Sequence, residues 1–134
     1  LKASIYLLDT NILSDVIKNP KGRAASQLVQ EEPQQLCTSI IVAAEMRYGV
    51  EKKNMPELTR RVNRILSAIH VLPLDQNADR HYGQIRAQLE KEGMIIGAND
   101  LFIAAHARAR DAILVTDNLK EFSHVQGLKL ENWL

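Results

Sequence analysis

The stretch Ile5-Tyr6-Leu7-Leu8-Asp9-Thr10-Asn11-Ile12 decides how this chain is read. Ile5 to Leu8 is a short apolar run suited to a buried strand. The three polar residues after it carry short acceptor side chains of the kind that cap free N–H groups at a helix start. Apolar residues then continue at helical spacing from Ile12 to Ile17, so the unit is strand, cap, helix. Its consequence is an acid, Asp9, at the carboxyl end of a buried strand.

The same grammar recurs along the chain. Asn19-Pro20-Lys21-Gly22 breaks it ahead of a helix over Arg23 to Gln30, Leu36 to Thr38 reads as a second strand, and Ser39 is placed to cap a helix from Ile40 to about Lys52. Leu58, Val62, Ile65 and Ile69 recur at helical spacing, as do Ala78, Tyr82, Ile85 and Leu89, which gives two amphipathic helices. Between them His70-Val71-Leu72-Pro73 is a short strand. Gly93 and Gly97 bracket Met94-Ile95-Ile96 before a helix from Ala98 to about Arg108, Ala112 to Thr116 is the clearest late strand, and Leu128 to Trp133 an edge strand. Short apolar strands alternating with helices predict an α/β fold, a three-layer sandwich with a central parallel sheet flanked by helices. Ligands bind such folds beyond the carboxyl ends of the strands.

A chain of 134 residues with 46% hydrophobic residues can bury the core of one domain, expected to span 1–134. The single cysteine, Cys37, excludes an internal disulfide framework. No signal-peptide pattern or long uncharged apolar run is present, so the expected location is a reducing cytoplasm, without membrane insertion. There are no repeats, no phosphate-cradling glycine-rich loop, and no zinc-type spacing among His70, His81, His106 and His124.

Four acids fall where apolar segments end or turn into helices: Asp9, Glu45, Asp100 and Asp117. Clustered carboxylates repel one another and resist ionising together unless a cation sits among them, and hard oxygen ligands suit magnesium or manganese. Taking these four of the 16 acids into one pocket leaves 12 against 17 Lys and Arg, a mildly basic surface around an acidic hole that suits a polyanion. Each acid also has a plainer reading. Glu45, with Ile41, Val42 and Tyr48 as its helical neighbours, is an acid on an apolar face that a structural salt bridge would satisfy. Asp100 gains from a helix dipole, Asp9 is an N-cap, and Asp117-Asn118 makes a turn. Arg60 and Arg64 share an exposed helical face that either tracks phosphates or is merely solvated. Haloacid-dehalogenase-like phosphatases and receiver domains also place an Asp after a first strand, but the phosphatase motif needs a second Asp two residues on, where this chain has Asn11, and a receiver needs paired acids at that strand's end and a late-strand Lys, neither of which is evident here.

Together the segments Leu7-Leu8-Asp9-Thr10-Asn11, Ala44-Glu45-Met46-Arg47-Tyr48-Gly49, Gly97-Ala98-Asn99-Asp100-Leu101 through Ala107, and Leu114-Val115-Thr116-Asp117-Asn118 resemble PIN-domain ribonucleases. The likeness is greater still to the VapC-like toxins of bacterial VapBC toxin–antitoxin pairs. The resemblance implies a magnesium-dependent endoribonuclease, with manganese as a substitute, that hydrolyses RNA, a tRNA among the candidates, by metal-activated water. It also implies a homodimer, neutralisation by a VapB-like antitoxin, and contact with operator DNA only through that antitoxin. Asp9, Glu45 and Asp100 match the family's acidic positions; at the fourth, Asp117 supplies the carboxylate while Asn118 competes for the place. Asp9 and Asp100 are then the main metal ligands, Glu45 a further ligand or water orienter and Asp117 an outer support, with Thr10, Asn11, Ser39 and Thr116 fixing their rotamers. A silent PIN-like module that binds RNA or antitoxin without cutting is the alternative.

Overall fold

Five short strands, β1 (Tyr6–Leu8), β2 (Leu36–Ser39), β3 (His70–Leu72), β4 (Ile113–Val115) and β5 (Lys129–Glu131), pair in parallel in the order β3-β2-β1-β4-β5. The computed structural model describes residues 4–75 and 77–134. Each strand lies within or one residue beyond the run expected from the sequence. The ladder extends past β1 as well, since the Ile113 N–H donates to the Ile5 carbonyl at 2.9 Å.

The connections are the helices α1 (Thr10–Lys18), α2 (Arg23–Gln30), α3 (Ile40–Lys53), α4 (Pro56–Ala68), α5 (Ala78–Lys91), α6 (Ala98–Ala109) and α7 (Leu119–Phe122). From β1 the chain steps through β2 to the β3 edge, then returns to lay β4 on the other side of β1. Parallel crossovers are right-handed, so this reversal puts α1 to α4 on one face and α5 and α6 on the other. The packing agrees, with α1 against α2, α3 and α4, and α5 against α6; α3 also touches α6. Where the winding reverses, between β1 and β4, the helices that follow diverge and leave a crevice at the strand ends.

Burial explains why such short strands hold. Leu7, Leu8, Leu114 and Val115 of the central pair have no exposed surface, whereas Lys129 and Glu131 keep the β5 edge charged and in water. Trp133 closes the end of the core against Tyr6, their ring centroids 5.3 Å apart and tilted by 59°. No helix of the described residues is long and apolar enough to cross a membrane.

One element was not legible in the pattern. The four-residue α7 follows β4 directly and is seated by Phe122, which is fully buried. Because α7 has too few residues to stand on propensity, its position depends on that ring. Phe122→Ala should therefore lower the unfolding free energy by about 3–5 kcal/mol in a urea titration followed by circular dichroism.

Candidate active site

The crevice between β1 and β4 is built around Asp9, the first residue beyond β1 and the N-cap of α1. It is 4% exposed, and both carboxylate oxygens are held: Oδ1 accepts the Thr10 N–H at 2.8 Å and Oδ2 the Thr116 hydroxyl at 2.8 Å. Thr116, the corresponding residue beyond β4, also accepts the Asn118 N–H at 3.0 Å, which leaves its own proton for Asp9. Burial raises the Asp9 carboxyl above its ordinary range; the hydrogen bonds from Thr116 and Thr10 oppose this, and the Glu45 charge adds to it. The cap reading and the site reading of Asp9 are thus one arrangement.

Glu45 reaches the same crevice from α3. Its Oε1 accepts the Thr10 hydroxyl at 2.6 Å and its Oε2 lies 3.4 Å from Asn99 Nδ2 on α6. The expectation of an acid on an apolar face is only half met. The buried stripe of α3 runs through Val42, Ala43, Met46 and Val50, Glu45 flanks it half-buried, and Tyr48 is 66% exposed. Among the described residues Glu45 makes no ion pair, so the structural salt bridge is not there either.

Asp100 stands in the first turn of α6, where the helix dipole favours its charge. Its carboxyl is nevertheless pushed up to about 6, by burial first and then by the charges of Asp9, Glu121 and Glu45. Desolvation and three neighbouring acids outweigh the dipole. A carboxyl held this far above its usual range in a crevice is the electrostatic mark of a site that takes up a cation or a proton.

The structure does not bring Asp117 into that group. Asp117 is exposed, its N–H donates to Asn11 Oδ1 at 3.0 Å, its Oδ1 accepts from Asn132 Nδ2 at 3.3 Å, and it is not among the charges that raise Asp100. Glu121 of α7 is, and it also accepts the Asn118 side-chain amide at 3.1 Å. The sequence reading missed Glu121 because an exposed acid in an unpatterned stretch carries no signal of its own. The available signal was its neighbour Phe122, an aromatic that must be buried and so fixes the turn before it.

Among the described residues no three His, Cys, Asp or Glu side chains converge into a ready-made metal cage. That disfavours a closed structural zinc site. Of the remaining candidates, Arg60 pairs with Glu57 and Arg64 is exposed on the same helix, Cys37 fills core space with its thiol pushed up to about 11 by burial, and His106 is fully buried.

Comparison with known proteins agrees with this geometry. The PIN domain family matches residues 6–128. Ribonuclease VapC2 of Haemophilus influenzae is 42% identical over 130 residues, covering 96% of this chain and 98% of that protein. A tRNA(fMet)-specific endonuclease VapC of Shigella flexneri is 41% identical over 129 residues, covering 96% and 97%. The toxin fold in the crystal structure of VapBC2 from Rickettsia felis, bound to a DNA fragment from its promoter, superposes with a TM-score of 0.88 at 37% identity over 97% of this chain and 99% of that one. An acid-lined crevice beyond a parallel sheet, and likeness of this extent to ribonucleases, lead to one assignment: the chain belongs to the PIN-domain family and, within it, to the VapC ribonucleases of toxin–antitoxin systems.

Proposed function

We propose that this ribonuclease cuts RNA at the Asp9–Asp100 pair, which together hold a divalent cation, magnesium or manganese. The observation that carries the proposal is the Asp100 carboxyl, raised to about 6 beside three other acids. Such a group trades its charge penalty for a cation more readily than an isolated surface acid does. When bound, the cation supplies Lewis-acid stabilisation of the phosphodiester and a lowered pKa for water.

The chain's own residues do the rest. Thr10 and Thr116 fix the Asp9 rotamer, and Thr10 and Asn99 fix Glu45, so the carboxylates are aimed before substrate arrives. Glu45 and Glu121 act at the margin, orienting water. Asp117 is an outer support at the rim through Asn132.

The substrate class we infer is a tRNA, on the strength of the Shigella flexneri relative's specificity. The partner we infer is an antitoxin, as in the Rickettsia felis complex, with DNA contacted through it. A groove of about 190 Å³ supports this, since it runs from Thr10 and Glu45 along Met46, Gly49, Val50 and Leu58, with Lys18 and Lys53 at its margin. One or two apolar side chains of a helix laid across that groove would fill it, and a cationic side chain at its end would meet the acids. Gly49 supports close approach, because a Cβ there would meet nothing within 4 Å of this chain. A homodimer through the outer face of α3 is the oligomer we infer, where Ile40 is 45% exposed beside a hollow lined by Ala44, Arg47, Leu66 and Val71.

Three measurements check these readings. Asp9→Asn and Asp100→Asn should each reduce RNA cleavage by about two orders of magnitude or more, exhaustive EDTA treatment should do the same, and mapping of RNA ends with an Asp9→Asn control should return tRNA fragments. Full activity of either variant would remove the site. The second measurement is of stability. Because the folded pKa of Asp100 lies above its ordinary value of 3.8, its ionisation opposes folding above about pH 6 and has no effect below the unfolded value. Asp100→Asn should thus raise the melting temperature of the metal-free protein by a few degrees at pH 7.5, and the gain should vanish by pH 3.5; a lowered melting temperature at pH 7.5 would contradict the electrostatics. Third, sedimentation at micromolar concentration should return a dimer mass, and a monomer mass would remove the α3 interface.

A further inference from the structure

The core contains one aromatic base that the chemistry above does not use. His106, in α6, has no exposed surface, and a Leu or Met there would fill space without desolvating two ring nitrogens. Its Nδ1 lies 2.8 Å from Ser39 Oγ, while among the described residues Nε2 has no partner within hydrogen-bonding geometry, although the Pro73 carbonyl is near enough to act on the ring. Ser39 ends β2 and caps α3, and its fully buried oxygen already accepts the Ile41 N–H at 3.1 Å. Its hydroxyl proton can meet Nδ1, and the Pro73 carbonyl near the ring suits a proton on Nε2, so the arrangement that serves both is a neutral imidazole with Nδ1 as acceptor. Burial, with Arg110, holds the ring below its ordinary pKa in keeping with this.

That bond joins the two helices that bring acids to the crevice from outside β1 and β4. α3 starts at Ser39 and bears Glu45; α6 bears Asn99, Asp100 and His106. Asn99 and His106 are two helical turns apart on one face of α6, and both reach α3 or its cap, Asn99 through Glu45 and His106 through Ser39. The buried face of α6 and its packing on α5 hold the helix as a whole, and these two polar contacts tie it to α3 at both ends of that face.

We propose that His106 is a positioning residue: its Nδ1 holds the Ser39 hydroxyl and thereby locks α3 and Glu45 in register with α6 and Asp100. The proposal rests on the reading of these acids as a cation site. A side chain that merely filled space would be replaced equally well by any isostere, whereas this role needs a polar atom at the Nδ1 place and nowhere else. Asn puts its amide near that place; Gln reaches where Nε2 lies.

The test is Mn²⁺ binding to the purified protein by isothermal titration calorimetry, with near-ultraviolet circular dichroism reporting the fold. His106→Asn should bind within about twofold of the native protein, and His106→Gln and His106→Leu about tenfold more weakly with unchanged dichroism. Ser39→Ala also removes the α3 cap, so it should cost less when added to His106→Gln than in the native protein, since there the bond between the two is already lost. Folded His106→Leu with native affinity, or His106→Asn as weak as His106→Leu, overturns the proposal; if His106→Leu does not fold, the contrast between Asn and Gln decides it. Asp100→Asn is the control. If it loses Mn²⁺ while His106→Leu and His106→Gln do not, only the positioning role falls; if it keeps Mn²⁺, the cation site falls, and the positioning role with it.

Discussion

Burial of carboxylates in a partly dry crevice, with repulsion between them added, is the constraint this site has to meet. Asp9 is almost completely buried and Asp100 is half-buried, and the Asp9 charge helps to hold Asp100 well above its ordinary range. Such a pair is costly to keep ionised near neutral pH, and the cost is relieved by a proton or a cation. The remaining structure places these carboxylates at one end of the sheet.

That task falls to elements distant in sequence. Parallel pairing of β1 with β4 sets Asp9 beside Thr116, and the reversal of winding at that pair opens the crevice where α1, α3 and α6 begin. Helix starts carry free N–H groups, which favour acids, so the topology gathers carboxylates at one end of the sheet. The Thr10 N–H and the Thr116 hydroxyl then fix the Asp9 rotamer, and the Thr10 hydroxyl and Asn99 amide that of Glu45, which aims these two acids before any ligand binds. Moving either of them breaks a bond to another segment.

Much of this was legible in the residues. Ile5 to Leu8 followed by Asp9-Thr10 gave a strand, an acid and a cap, and the same pattern at Leu36 to Ser39 was found where expected. These readings are local: apolar alternation and short capping side chains need no knowledge of the rest of the chain. What failed was non-local. Whether Glu45 is buried depends on which side of α3 meets α1 and α4, and its flanking position could not be read from helical spacing alone. The exchange of Asp117 for Glu121 in the charges acting on Asp100 has a similar origin, since the direction of each side chain is set by Phe122 entering the core and by Asn132 arriving from beyond β5. His106 was set aside with the other histidines for want of zinc-type spacing; its bond to Ser39 spans 67 positions and leaves no trace in local pattern.

The central claim is that Asp9 and Asp100 form a carboxylate pair that awaits a divalent cation. Carboxyl-carbon NMR of the protein, titrated with and without magnesium, tests it most directly because it observes the ionisation itself. Without magnesium Asp100 should titrate at about 6, and saturating magnesium should bring it below the ordinary value of 3.8. An Asp100 signal that titrates near 3.8 in the metal-free protein, or that does not respond to magnesium, would contradict it.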